Sequence, residues 1–80
     1  MKIVILSYAD TAGWYLATLQ ERGHKTSIIS GAILNPDFIK RFAGYDGCLL
    51  LGDEAELIEF ADHLEAMGKT VWRQLADIPS

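Results

Sequence analysis

Cysteine and proline are scarce in this 80-residue chain, with one Cys (Cys48) and two Pro. A lone thiol excludes an internal disulfide and any zinc site built on several thiolates. Set in Gly47-Cys48-Leu49-Leu50-Leu51, it reads as a buried, inert side chain, and no histidine stands near it in sequence to activate it. No apolar run approaches the roughly 20 residues that span a bilayer. The opening Met1-Lys2-Ile3-Val4-Ile5-Leu6-Ser7 is too briefly apolar for a secretory signal. A cytoplasmic protein without a membrane partner is expected. Positive charge is also in deficit, with seven Lys and Arg against eleven Asp and Glu, a net charge of −4. The cations (Lys2, Arg22, Lys25, Lys40, Arg41, Lys69 and Arg73) are scattered along the chain rather than arranged as a stripe. That distribution argues against nucleic acid, whose binding requires a basic surface that releases counterions.

Apolar residues, by contrast, are plentiful, at 50 %. A chain this short buries only about 60 % of its unfolded surface, so it accommodates one domain with a dense core. The expected domain is 1–80, with 73–80 as a short tail. Two hydrophobic periods alternate along it. Residues 2–7 form a continuous Ile/Val-rich run, as in a strand covered on both faces. Residues 12–22 switch to helical spacing through Ala12, Leu16 and Leu19, with Asp10 or Thr11 as cap and Gly23 as stop. Residues 26–29 read as a short strand after an exposed turn at His24. Asn35-Pro36-Asp37 opens a second helix whose apolar face is Phe38, Ile39 and Phe42. Residues 47–51 form another apolar strand. Asp53 and Glu56 stand in a D-x-x-E capping arrangement ahead of a long helix over roughly residues 54–67, and residues 70–72 close the series.

The order β-α-β-α-β-α-β predicts a small three-layer α/β fold, Rossmann-like or flavodoxin-like, with a parallel sheet of order 2-1-3-4. Ligands in such sheets bind beyond the carboxyl ends of the strands where the winding reverses, here between the first and third strands. The residues placed there are Ser7, Asp10, Thr11, Gly52, Asp53 and Glu54. A dinucleotide site needs G-x-G-x-x-G, and Ser7 and Ala9 stand where its first two glycines belong. A small phosphorylated ligand at a helix N-terminus is the alternative, opposed by the nearby acids. Asp10 and Asp53 suit a Mg²⁺ ion chemically, but each also stands where a helix needs a cap. No catalytic group, metal or cofactor is assigned.

A second set of residues suggests contact with a protein. Trp14 and Tyr15 are adjacent on a helix whose Leu16 and Leu19 face inward, so both cannot be buried, and such aromatics are favoured at interaction hot spots. Glu56, Glu59 and Asp62 form an acidic helix face, and Trp72 lies on an edge strand able to pair with a second copy.

The stretch Tyr45-Asp46-Gly47-Cys48-Leu49-Leu50-Leu51-Gly52-Asp53-Glu54-Ala55-Glu56-Leu57 resembles the strand and G-x-E-x-x-L of the N-terminal, pre-ATP-grasp domain of phosphoribosylamine–glycine ligase, through Gly52, Glu54 and Leu57. Leu64-Glu65-Ala66-Met67-Gly68-Lys69-Thr70-Val71 is similar to the family's next helix end and strand. The resemblance implies a Rossmann-like fold. The family's first-loop glycines and the Gly-Pro after its fourth strand are absent, and its ligase chemistry resides in further domains that 80 residues cannot hold. The expectation is therefore a non-enzymatic α/β module acting by protein–protein contact, as regulator, inhibitor or self-associating unit. The alternative is a phosphate or nucleotide binder at the switch point.

Overall fold

A computed structural model describes residues 1–8, 12–29 and 36–79. The central strand explains most of the architecture. β1 (Lys2–Leu6) is a run of Ile, Val and Leu whose residues from Ile3 to Leu6 are fully buried. A pleated strand sends alternate side chains to opposite faces. Ile3 and Ile5 accordingly join one core, and Val4 and Leu6 the other.

Three more strands lie parallel to it: β2 (Lys25–Ile29), β3 (Gly47–Leu50) and β4 (Thr70–Trp72), in the order β2-β1-β3-β4. This is the predicted topology of a small Rossmann-like α/β domain. α1 (Ala12–Glu21) covers one face through Ala12 and Leu19. α2 (Ala55–Ala66) covers the other through Leu57, Phe60, Ala61 and Leu64. Gly23 and Gly68 end the two helices at φ 90° and 84°. Each left-handed glycine lets the next residue's N–H reach back into the helix, His24 to the Leu19 carbonyl (3.1 Å) and Lys69 to that of Leu64 (3.0 Å).

The second predicted helix is present in another form. Pro36–Phe42 is a seven-residue 3₁₀ helix, and the capping Asn35 lies outside the described residues. Its apolar content amounts to one turn, too little to propagate an α-helix. Aromatic packing holds it instead: Phe42 meets Phe38, Tyr45 and Phe60 edge-on at centroid distances of 5.6, 4.9 and 5.9 Å.

Two further expectations are corrected. His24 is buried rather than an exposed turn residue, because the chain returns its side chain to the N-terminus, where the Met1 amino group lies 3.2 Å from Nδ1. Its Nε2 is buried with no hydrogen-bond partner. Trp72 is only 9 % exposed, so its indole is not available to a partner. The segment after β4, expected as a short tail, packs against the domain. A 3₁₀ turn, Leu75–Asp77, returns the chain over the α1 face, where Leu75 and the buried Ile78 pack into the core containing Trp72.

Gly47 shows how tightly that edge closes. A Cβ there would strike the Thr70 carbonyl and stand 2.5 Å from the Trp72 ring. Gly47→Ala is expected to cost about 1–3 kcal/mol by overpacking. Ile78→Ala is expected to cost about 2 kcal/mol by leaving a cavity. Urea denaturation of both variants measures this, and an unchanged Ile78→Ala midpoint contradicts the packed C-terminal segment.

Candidate functional site

The winding reverses between β1 and β3, and the register there is tight. Leu6 lies opposite Leu50, and the Leu51 N–H donates to the Leu6 carbonyl at 3.0 Å. This pairing brings Ser7 and Tyr8, which follow β1, beside Gly52, Asp53 and Glu54, which follow β3. Ser7 is buried, with its N–H 3.4 Å from the Ile29 carbonyl of β2. Of the residues expected at this point, Ser7, Gly52, Asp53 and Glu54 are brought to one end of the sheet. Asp10 and Thr11, and with them the proposed cap of α1, lie outside the described residues.

The β3–α2 connection differs from the expected capping box. Glu54, not Asp53, occupies the N-cap position, and no side chain hydrogen-bonds to the cap. The Glu54 carbonyl accepts the first helical bonds, from Leu57 (3.0 Å) and Ile58 (3.1 Å). Its carboxylate turns back over Gly52. Gly52 sits at φ 123°, a conformation side chains avoid, and the space a Cβ would fill is taken by Glu54 Oε2. Asp53 is exposed.

Tyr8 is the site residue that motif reasoning missed. The only signal was its position, an aromatic two residues past the end of a buried strand. Tyr8 is 45 % exposed, and its hydroxyl lies beside the Glu56 carboxylate. Desolvation, followed by the charges of Glu56 and Glu54, pushes the phenol above its ordinary value of 10.0. The neutral phenol is therefore favoured as a donor to the carboxylate.

The residues expected on an interaction surface separate. Trp14 is 61 % exposed on the first turn of α1, with its ring edge-on to Tyr15 at 4.9 Å. Tyr15 is half-buried against the α1-side core. One aromatic thus anchors the other. Glu56, Glu59 and Asp62 are all exposed on α2, with Glu56 at the switch point and the other two farther along the helix. Trp72 is inside, as described.

Among the described residues no group of three or more His, Cys, Asp or Glu is placed to hold a metal ion. The Cys48 thiol lies in the interior, where burial and then the charge of Glu65 push it up to about 12. A thiol that holds its proton at neutral pH is not a nucleophile. Among the same residues no helix is long and apolar enough to cross a membrane. No family model, curated protein or solved structure matches the chain, so the likeness to the pre-ATP-grasp domain rests on Gly52, Glu54 and Leu57 themselves.

Two titrations test this electrostatic picture. Glu56→Gln removes a charge and the carboxylate acceptor, so the Tyr8 phenol is expected to titrate at lower pH, read by tyrosinate absorbance against a Tyr8→Phe control. For Cys48, the unfolded thiol ionises at its ordinary value of 9.0 and the folded one at about 12. The folded chain thus keeps a proton that the unfolded chain loses. Stability is expected to fall as pH rises from 9 toward 12, and Cys48→Ala is expected to flatten that slope in denaturant titrations.

Proposed function

We propose that this domain works in the cytoplasm by binding another protein rather than by catalysing a reaction. The observation that carries the reading is Trp14, an indole 61 % exposed yet held edge-on by the half-buried Tyr15. A large ring fixed in place loses little side-chain freedom on docking, which is what makes aromatics effective anchors in protein interfaces. Tyr8, the other exposed aromatic at this end of the sheet, is steadied by Glu56. The inert Cys48 thiol accords with a non-catalytic role. The likeness to a pre-ATP-grasp domain is compatible with a module that serves a larger assembly.

The phosphate-binding alternative is the weaker one. The described part of the switch point presents the carboxylates of Asp53, Glu54 and Glu56, and Glu54 itself lies over Gly52. An anionic ligand meets repulsion there.

Trp14→Ala provides the test. The variant is expected to keep its melting temperature within a degree or two, since an exposed ring contributes little to folding. It is expected to lose about 2 kcal/mol of affinity for the partner captured by the wild-type chain, as at an interface hot spot. Undiminished binding by the variant, or thermal stabilisation of the wild type by nucleotides or phosphosugars, counts against the proposal.

A further inference from the structure

The cations that are scattered in sequence are gathered by the fold. All four strands run in one direction, so one end of the domain collects strand starts and helix ends. Lys2 and Lys25 begin β1 and β2, Lys69 precedes β4, Arg22 follows α1, and Lys40 and Arg41 stand in the last turn of the 3₁₀ helix. Six of the seven Lys and Arg residues thus lie at the amino end of the sheet. Contacts confirm that these segments meet: the Lys25 N–H donates to the Met1 carbonyl (2.9 Å), Lys69 Nζ to the Ala43 carbonyl (2.6 Å), and Lys2 Nζ lies over the Tyr45 ring (5.6 Å). Four carboxylates lie at or within a turn of this end, Glu21, Asp46, Asp62 and Glu65, and Asp46 accepts the Lys2 N–H at 2.8 Å. They leave it with an excess of positive charge.

The carboxyl end is the opposite. Asp53, Glu54 and Glu56 at the start of α2 and Asp37 at the start of the 3₁₀ helix face it, with Arg73 as its cation among the described residues. The domain extends 30 × 25 × 18 Å, and the Debye length at physiological salt is only about 8 Å. An approaching molecule therefore senses the nearer end rather than the net charge of −4.

Resting on the protein-binding reading, we propose that the partner is a second copy of this chain, docked head to tail: the acidic carboxyl end of one copy, with Tyr8 and Trp14, seats on the basic amino end of the next. Such a contact is heterologous, so it continues from copy to copy instead of closing as a two-fold dimer. Its attraction comes from opposite charges, which makes it salt-sensitive.

Sedimentation and light scattering across protein concentration test this, using the whole chain in about 20 mM and about 500 mM salt. At low salt the mean mass is expected to climb past that of a dimer as concentration rises, and at high salt to return to the monomer value of 8.9 kDa. The neutralised variants D53N/E56Q and R22Q/K25Q, checked for folding by circular dichroism, are each expected to stay monomeric at low salt. Mixed, they are expected to stop at a pair, because each keeps one intact end. A wild-type chain monomeric at low salt, association that strengthens with salt, or chains as long from D53N/E56Q as from the wild type each overturn the proposal. A monomer that still captures another protein through Trp14 overturns head-to-tail assembly alone. A monomer that captures nothing removes the protein-binding reading as well.

Discussion

The structure depends on the two-sided burial of β1. Ile3 and Ile5 on one face and Val4 and Leu6 on the other are fully removed from water, and each pair lies in one of the two cores. Full burial of one aliphatic side chain contributes about 1.5–3 kcal/mol, so these four residues outweigh any surface interaction described above. β1 also carries the sheet, since β2 and β3 pair with its two edges. A polar residue anywhere in Ile3–Leu6 would disturb one core directly and the other through the shared backbone.

From that constraint follows the placement of everything reactive or charged. A central strand with neighbours on both sides makes the chain leave it in one direction through α1 and return past it through the 3₁₀ helix. The segments after β1 and β3 consequently end side by side. The same parallelism sorts charge. Acids are favoured near helix N-termini and cations near helix C-termini, and here Asp37 and Glu56 occupy first turns while Lys40 and Arg41 occupy a last turn. In an all-parallel sheet those local preferences add instead of cancelling. The polarity of the molecule is thus a by-product of stabilising each helix, and it becomes a surface property because no antiparallel element reverses it.

The topology was legible because it rests on hydrophobic period, and the period changes cleanly at each break. Residues 2–7 and 47–51 could only be strands buried on both sides, and Leu57, Phe60, Ala61 and Leu64 could only be one face of a helix. Misreadings arose where long-range packing decided the outcome. Trp72 looked like an exposed edge residue because nothing in Leu75-Ala76-Asp77-Ile78 announces that this segment folds back over it. His24 looked like a turn residue because its burial comes from Met1, 23 positions away. Asp53 looked like a cap because Asp is a good one, whereas the backbone places Glu54 in that position. The cations looked dispersed because sequence distance is no guide to which strand ends share one end of a sheet. Of the candidate site, Ser7, Gly52, Asp53 and Glu54 came from topology alone. Tyr8 required the nearness of Glu56 and Glu54 to its hydroxyl.

The carboxyl end of the sheet illustrates how a place where this architecture usually receives a ligand can be occupied by the chain itself. A helix N-terminus next to a glycine with positive φ offers unsatisfied N–H groups and room for an anion. Here Gly52 supplies the turn, but the space beside it is filled by the carboxylate of Glu54, and the Tyr8 hydroxyl faces the negative charge of Glu56. An incoming phosphate would displace one carboxylate against the repulsion of two others. A cationic or aromatic surface meets no such barrier: the carboxylates of Asp53, Glu54 and Glu56 are exposed, and an exposed indole stands on the adjoining helix. The residues that turn the switch point away from anions are therefore the same ones that the proposed protein contact would use.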